Sequence, residues 1–457
     1  MNRRGLFKIE RRKQMIDLKI KAQRPAIIKG YENEIYALVK ASASDNAQHS
    51  ESLPLNLSIV IDRSGSMAGL PLEEAKKSAA YIVSKMRDID RLAIVTYDHN
   101  ARVILPSQRV LNKAAINEVI FSITGGGSTD LHQGWLAGAE EVARNKSSNS
   151  LNRVLLLSDG NANSGETSAE VISSQCGQLA DEGIITSTYG LGHHFNEQLM
   201  ISMARTGLGQ SYYGETADDL LDPFQEEFDL LINTFAWNLK LKAEAPNFVD
   251  VELLNKFKVA ENDPACWHLP DLAEGGEAWA LFKLKVNDLN ENSKTIEVLR
   301  CNLSYETKVN DEVKIHNEGP IKLVLDRLSP SAFNAIAEDE EVKRRLDELT
   351  IANLQERARE ASLRGDWVRV EQIIVEGRRV AGTNEWLQNN LSELAVFAKR
   401  RQRDQFSKEA IYSADKMNRR LSSSTEMHSM DYDMSAEIDK KAYLRRKVSR
   451  GKRMPRL

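Results

Sequence analysis

One carboxylate and two hydroxyls follow a run of apolar residues at a spacing that suits a metal site. Asp62, Ser64 and Ser66 form the pattern D-x-S-x-S, and residues 57–61 before them are mostly apolar. Such a run is typical of a strand buried on both faces of a parallel sheet, and Pro71 favours a helix start soon afterwards. The three side chains are therefore expected in a strand-to-helix loop, where their oxygen atoms suit a hard cation such as Mg²⁺.

Two later stretches could complete the same site. Residues 124–130 form a glycine-rich loop that contains Thr129, and a second apolar strand ends next to Asp159. The three glycines that precede Thr129 in this loop let the backbone approach an ion closely. Ser128 and Asp130 compete with Thr129 as ligands. Serine, threonine and aspartate also cap helices and shape turns, which is the alternative explanation for all three stretches.

Together, the three stretches closely resemble a von Willebrand factor A domain with its metal-ion-dependent adhesion site. The family pattern is D-x-S-x-S, then a threonine, then an aspartate. The positions that match it here are Asp62, Ser64, Ser66, Thr129 and Asp159. The resemblance covers roughly residues 51–235. It implies a divalent cation with one open position, which a carboxylate of a partner protein fills.

The composition is ordinary for a globular protein, but the charge is unevenly distributed. Of 457 residues, 41% are hydrophobic and 28% are charged, and the formal net charge is −4. Residues 1–14 carry +5 and residues 440–457 carry +9, which leaves −18 for the rest of the chain. An acidic body argues against general nucleic-acid binding, although the basic tail could contact phosphates or an acidic partner.

Several features indicate a cytoplasmic protein. The sequence contains no stretch of about 18 uncharged apolar residues that would span a membrane, and the basic N-terminus lacks the apolar core of a signal peptide. Cys176, Cys266 and Cys301 are widely separated and lack metal-ligand spacing. We therefore expect them to be reduced, buried thiols.

The pattern around the site predicts a composite architecture. Between residues 51 and 235, apolar strands alternate with amphipathic helices, the last of them over residues 218–234. This predicts an α/β fold with a doubly wound, mostly parallel, Rossmann-like sheet and ligands at its strand ends. Alternating strands near residues 16–22 and 34–40 cannot form a core alone, and similar strands recur between residues 237 and 325. We predict that both sets form one β-sandwich-like domain into which the A domain is inserted.

A helical region is predicted to follow the sandwich. The third helix of this region is expected to run from about residue 385 into the 410s. The chain is thus predicted to have five parts. The parts are a basic arm with strands (1–50), the A domain (51–235), the sandwich (236–329), the helical region (330–422) and a disordered basic tail (423–457).

The leading hypothesis is a protein-binding adaptor or scaffold, not an enzyme. Its partner would offer a carboxylate to Mg²⁺, with Mn²⁺ or Ca²⁺ as alternatives. One alternative function is a regulatory subunit of an ATPase, kinase or phosphatase system. Another is a hydrolase that uses a metal-activated water, but no second metal site or general base accompanies the pattern. The partner, the pathway and the oligomeric state stay open at this point.

Overall fold

The computed structural model describes residues 15–43, 53–159, 162–191, 196–214, 228, 231–273, 276–287, 293–309, 312–419 and 422–423. The basic arm before residue 15, residues 44–52 and the basic tail after Ser423 lie outside these ranges, as does most of the helix predicted over 218–234. Within them, the predicted fold class is confirmed: a Rossmann-like α/β sheet is accompanied by two mostly antiparallel sheets and a C-terminal helical region. The exact domain boundaries remain a prediction.

The strands alternate with helices only in the middle of the chain. The described strands are β1 (Ile16–Ala22), β2 (Ala26–Ile28), β3 (Asn33–Ala43), β4 (Leu55–Asp62), β5 (Arg91–Tyr97), β6 (Ala101–Arg109), β7 (Leu151–Ser158), β8 (Ile184–Leu191), β9 (Leu208–Gly214), β10 (Thr234–Glu244), β11 (Val249–Leu253), β12 (Val259–Ala260), β13 (Asp263–His268), β14 (Leu272–Ala273), β15 (Gly276–Val286), β16 (Thr295–Val309), β17 (Glu312–Leu328) and β18 (Ser422–Ser423). The described helices are α1 (Leu70–Lys85), α2 (Lys113–Phe121), α3 (Leu131–Ala143), α4 (Ala169–Asp181), α5 (Glu197–Thr206), α6 (Pro330–Asn334), α7 (Glu340–Leu363), α8 (Trp367–Ala381), α9 (Glu385–Lys399) and α10 (Arg403–Arg419).

The central sheet has the strand order β6-β5-β4-β7-β8-β9, and only β6 is antiparallel to its neighbour. Every residue of β4 is buried because helices cover both faces. Ile59 and Ile61 pack under α1 and α2, whereas Val60 packs under α3, α4 and α5. This alternation explains why β4 is apolar throughout rather than at every second position.

Two sheets form the β-sandwich, and both use strands from before and after the central sheet. Their strands pair antiparallel except for β2, which is parallel to β17. One has the order β1-β3-β15-β11, and the other has the order β12-β13-β10-β16-β17-β2. β3 pairs with β15 over ten residue pairs, from Asn33 to Ser42. A single apolar core joins the two sheets, with Val39 and Phe282 on one side and Leu241 and Leu303 on the other. The N-terminal strands, whose residues alternate between apolar and polar, therefore bury their apolar face together with strands from far along the chain.

One helix of the helical region, α7, covers part of the outer face of the sheet that contains β3 and β15. Val342 and Leu349 of α7 pack against Leu38 of β3 and against Trp279 and Leu281 of β15. These strand residues alternate with the core-facing ones, so both faces of the sheet are buried at this point. α7 is therefore an extra layer on the sheet.

The prediction of one helix from about residue 385 into the 410s is wrong. α9 ends at Lys399, Arg401 adopts a left-handed backbone conformation with a φ of 52°, and α10 begins at Arg403. α9 packs on α8, whereas α10 packs mainly on α7. One straight helix could not follow both neighbours, so the chain turns between them.

α10 also packs along β9 at the edge of the central sheet. Arg419 donates to the carbonyl of Gly209 at the start of β9. Near the end of β9, the ring of Tyr213 stacks on Tyr412 and lies under the ammonium of Lys408. Helix and strand therefore run in opposite directions.

Two further observations concern the environment of the chain. Cys176, Cys266 and Cys301 are buried free thiols. Among the helices that the structure describes, none combines the length and the apolar character that a membrane span requires.

Candidate metal centre

Asp62 ends β4, and Ser64 and Ser66 lie in the turn that leads to α1. Asp62 and Ser64 are buried, whereas Ser66 is exposed in a short 3-10 helix, Gly65–Met67. The backbone amide of Ser64 donates to Asp62 Oδ1 at 2.9 Å, and the Oγ atoms of Ser64 and Ser66 lie 3.2 Å apart. Pro71 stands in the first turn of α1, where a backbone N–H would have no helical partner. The first three predicted ligands therefore cluster at one strand end.

Donors from two neighbouring strands fix the orientation of the Asp62 carboxylate. The hydroxyls of Tyr97, at the end of β5, and Ser158, at the end of β7, donate to Asp62 Oδ2 at 3.1 and 2.8 Å. Tyr97 fits because α3 has a glycine at position 134, where a Cβ would lie 2.3 Å from the ring. Burial and the nearby charge of Asp159 raise the pKa of Asp62 to about 6. A bound cation would oppose both effects, since it favours the charged carboxylate.

Backbone hydrogen bonds join the glycine-rich loop to the D-x-S-x-S loop. The amide of Gly65 donates to the carbonyl of Gly127 at 2.8 Å, and the amide of Gly126 donates to the carbonyl of Arg63 at 2.6 Å. Such contact needs small residues, because a Cβ on Gly126 would lie 2.2 Å from the carboxylate of Asp98. The two loops therefore form one continuous backbone framework.

Thr129 links this framework to the loop that follows β7. Thr129 is buried, and its carbonyl accepts hydrogen bonds from the amides of Asn163 and Ser164 at 3.0 and 3.1 Å. Both amides belong to the segment that follows Asp159. Asp159 is buried directly after β7, close enough to Asp62 for its charge to affect the pKa of that residue. The structure thus brings the three predicted loops to one edge of the parallel strands.

The residues that competed with Thr129 have other positions. Asp130 is the N-cap of α3, and its Oδ1 accepts from the amide of Gln133 at 2.9 Å. Gly165 approaches the same carboxylate so closely that a Cβ there would lie 2.3 Å from Asp130 Oδ2. Ser128 is exposed. Asp130 therefore acts as a helix cap, and the assignment of Thr129 as the ligand stays a prediction.

Sequence reasoning missed the ion pair that supports these loops. Arg63, inside the D-x-S-x-S pattern, pairs with the buried carboxylate of Asp98 and donates to the carbonyl of Thr124 at 3.1 Å. Burial alone would raise the pKa of Asp98, but the Asn100 amide and the Arg63 guanidinium outweigh it and lower that pKa. The available signal was topological: Asp98 follows β5, which ends at the same sheet edge as β4.

The donor set fits a hard cation better than a soft one. Asp62 and Asp159 supply two carboxylates, and Ser64, Ser66 and Thr129 supply hydroxyls, so every candidate ligand is an oxygen. Within the described residues, no group of three or more His, Cys, Asp and Glu side chains could hold a metal. A cation at this edge would therefore depend on hydroxyls as well as on carboxylates.

Comparison with known families identifies the central part of the chain. Residues 56–226 match the model of the von Willebrand factor type A domain. These residues form an A domain of that family. The family match leaves out the strands β1 to β3 before it and all of the sandwich strands and the helical region after it.

Curated relatives share more than this domain but differ in length. An uncharacterized protein of Synechocystis is 28% identical over 273 residues, which is 60% of this chain and 62% of that protein. The uncharacterized protein YfbK of Escherichia coli is 32% identical over 217 residues, 46% of this chain and 37% of that protein. This chain thus spans less than two thirds of the length of either relative.

A solved structure extends the likeness of fold. A von Willebrand factor type A protein from Catenulispora acidiphila matches 83% of this chain and 89% of its own, with a TM-score of 0.67 and 17% identity. At that identity the match concerns the fold alone. Because the covered share is larger than the A domain, the shared fold includes parts of the flanking regions.

Proposed function

We propose that this protein binds a protein partner through a divalent cation held in the A domain where β4 and β7 end, beside Asp62 and Asp159; we call this the metal edge. The ligands would be Asp62, Ser64, Ser66, Thr129 and Asp159, and the ion would be Mg²⁺, with Mn²⁺ or Ca²⁺ as alternatives. The observation that carries the proposal is the joining of three separate loops by backbone hydrogen bonds around two buried carboxylates. Membership of the A-domain family supports it.

The cation would act as a binding group in the interface. Two carboxylates neutralise a divalent ion only formally, and hydroxyls add no charge, so a further anionic oxygen is still attracted. A carboxylate of the partner has the right charge and ligand type. The chain's own residues hold the ion and orient Asp62 through Tyr97 and Ser158.

The position of the other domains is compatible with an adaptor or scaffold. Arg153, near the start of β7, pairs with Asp271 of the sandwich at 2.8 Å. The strand starts and the metal edge are at opposite ends of the parallel strands, so this contact leaves the metal edge accessible to a partner. We propose a cytoplasmic, non-catalytic role, in keeping with the three free buried thiols.

Calorimetric titration of the full chain with Mg²⁺ and Mn²⁺ tests the ion site. Ser66→Ala removes one proposed ligand from an exposed position and should weaken binding by about tenfold, while the melting temperature of the metal-free protein stays unchanged. Ser84→Ala, which removes an exposed hydroxyl from the last turn of α1, is the matched control. Wild-type affinity in Ser66→Ala would contradict the ligand assignment.

Capture of partners from a lysate tests the role of the ion in recognition. Proteins retained by the wild type should be lost with a chelator and with Ser66→Ala, but not with Ser84→Ala. If every retained protein survives both treatments, the ion does not act in partner binding.

A further inference from the structure

Two turns of the helical region meet around a cavity of about 370 Å³. The turn between α7 and α8 contributes Gly365 and Trp367, and the turn between α9 and α10 contributes Arg401, Arg403 and Asp404. We call this the arginine cavity. It is distinct from the metal edge, because none of its lining residues belongs to the A domain.

The arginine cavity is a basic patch on an acidic protein. Six cations lie on or beside the two turns, against two carboxylates, Asp366 and Asp404. The cations are Arg364, Arg369, Lys399, Arg400, Arg401 and Arg403, and all are exposed. Apart from its two basic ends, the chain carries −18. A local excess of +4 on such a body is therefore a specific feature of this surface.

Most of these charges have no counter-ion in the chain. Within the described residues, Arg364, Lys399, Arg400 and Arg401 form no ion pair. Among the same residues, Arg403 pairs only with the adjacent, exposed Asp404, at 3.6 Å. Asp366 is already used as the N-cap of α8. Guanidinium groups grouped without internal partners are suited to bind carboxylates or phosphates from outside.

Apolar surface lies beside the cations. Trp367 is half-buried and contacts Phe406 edge-on, with ring centroids 6.0 Å apart. Leu363 and Val368, on either side of the same turn, are 48% and 69% exposed. A ligand with both acidic and apolar side chains would use all of this surface, whereas a phosphate backbone would use only the arginines.

The cavity faces the same end of the molecule as the metal edge. Arg419, at the end of α10, lies at the start of β9, and Lys408 lies near its end. Because β9 is parallel to β8 and β7, the first turn of α10 points toward the edge where β4 and β7 end. A protein bound at one site would therefore approach the other from the same direction.

We propose that the arginine cavity binds an acidic segment of a partner protein, in which aspartates or glutamates alternate with apolar residues. Carboxylates would pair with Arg401 and Arg403, and an apolar side chain would contact Trp367. This contact requires no metal ion, so it is independent of the function proposed for the A domain.

Fluorescence anisotropy of a labelled peptide of repeated Glu-Glu-Leu, added to the full chain with a chelator present, tests the proposal. The double variant Arg401→Gly/Arg403→Gln should weaken binding by about tenfold or more, because two charged contacts are lost. Arg401→Gly should not destabilise the fold, since glycine adopts a φ of 52° without strain. The control is Arg378→Gln/Arg379→Gln, which removes two exposed arginines from the other end of α8.

Three results would overturn the proposal. They are wild-type affinity in the Arg401→Gly/Arg403→Gln variant, an equal loss in the control, and no binding of the peptide by the wild type. Comparison arms use a single-stranded oligonucleotide and phosphatidylserine vesicles. Binding of either as tightly as the peptide, with the same loss in the variant, would show a general anion surface instead. Peptide binding is measured with a chelator present, so its outcome stays the same even if the metal-dependent partner binding proposed above is not found.

Discussion

At the scale of single residues, Asp62 has an unfavourable charge unless a cation is bound. Three donors hold its carboxylate, yet burial and Asp159 raise its pKa from 3.8 to about 6. The folded state without metal therefore disfavours the charged form. This cost is complete above pH 6 and disappears as the pH falls toward 4.

Asp62→Asn should consequently stabilise the metal-free protein while it removes metal binding. The amide keeps the shape of the carboxylate and removes its charge. We expect the free energy of unfolding at pH 8, measured with a chelator present, to rise by about 1–3 kcal/mol. The wild type alone should gain stability when Mg²⁺ is added. A less stable metal-free variant would show that the hydrogen bonds of Asp62 outweigh its charge.

The ligand residues could be predicted from the sequence, but their supports could not. Asp62 and Asp159 follow apolar runs that mark strand ends, which makes their location readable from local pattern. The roles of Tyr97 and Asp98 depend on which strands are neighbours, and strand order is a property of the whole sheet. The position of Asp98 also depends on its ion pair with Arg63 and on the close approach of Gly126. These three residues are far apart in the sequence, so no local spacing predicts the contacts.

At the scale of elements, the glycine-rich loop is positioned by the space around it. A Cβ on Gly126 would lie 2.2 Å from Asp98, whereas one on Gly125 would meet nothing closer than Ala68 at 3.7 Å. Gly126→Ala should therefore displace the loop and weaken Mg²⁺ binding by about tenfold or more. Gly125→Ala is the matched control and should bind as the wild type does. Calorimetric titration distinguishes them, and equal affinities would show that the loop adapts.

Helix α7 is held on the sandwich by ion pairs. Glu341, in the first turn of α7, pairs with Lys21 of β1 at 2.7 Å and with Lys40 of β3 at 2.5 Å. Burial alone would raise the pKa of Glu341, but the two ammonium groups outweigh it and lower that pKa to about 2. Because the pKa is lowered in the folded state, the stabilisation is present above about pH 4.5 and is lost as the pH falls toward 2.

Glu341→Gln should therefore reduce the acid sensitivity of the protein. Urea unfolding at pH 7 should show a destabilised variant, and the difference from the wild type should shrink between pH 4.5 and pH 3. Glu340→Gln removes a neighbouring carboxylate in the same helical turn and serves as the control. A constant difference across this pH range would assign the effect to packing instead of charge.

The break between α9 and α10 shows the limit of local pattern at this scale. Residues 400–402 contain neither glycine nor proline, so the sequence predicts one continuous helix there. The packing of α9 on α8 and of α10 on α7 makes Arg401 left-handed despite its side chain. Tertiary contacts thus override helix propensity at this turn.

At the scale of the whole molecule, the A domain shares its core with the regions that flank it. Trp237 of β10 belongs to the cluster under α1, and Ile411 and Tyr412 of α10 belong to the cluster on the opposite face. Arg205 of α5 also pairs with Asp415 of α10 at 2.8 Å. The alternation of strands and helices predicted a self-sufficient domain, but these contacts show that it is not fully enclosed by its own residues.

A fragment of residues 51–235 should therefore fold but be less stable than the same residues in the full chain. Loss of Trp237 and Tyr412 should lower the free energy of opening of β4 and β7 amides by about 3 kcal/mol, as measured by hydrogen exchange. A fragment of residues 236–457 should aggregate, because it leaves β15 without its partner β3. Equal amide protection in the 51–235 fragment and in the full chain would contradict the expected loss of stability. Soluble, cooperative folding of the 236–457 fragment would contradict the expected aggregation.

The pairing of β3 with β15 also sets an order of events during synthesis. Ser42 and Glu277 meet in this ladder although 235 positions separate them. At about 5–20 residues per second, a ribosome needs on the order of 10–50 seconds to make the intervening chain. During that interval the A domain can emerge and fold, while β1 and β3 can pair with each other but the other edge of β3 waits for β15. Lys19, Lys21 and Lys40 along these strands would discourage wrong edge-to-edge pairing in the meantime.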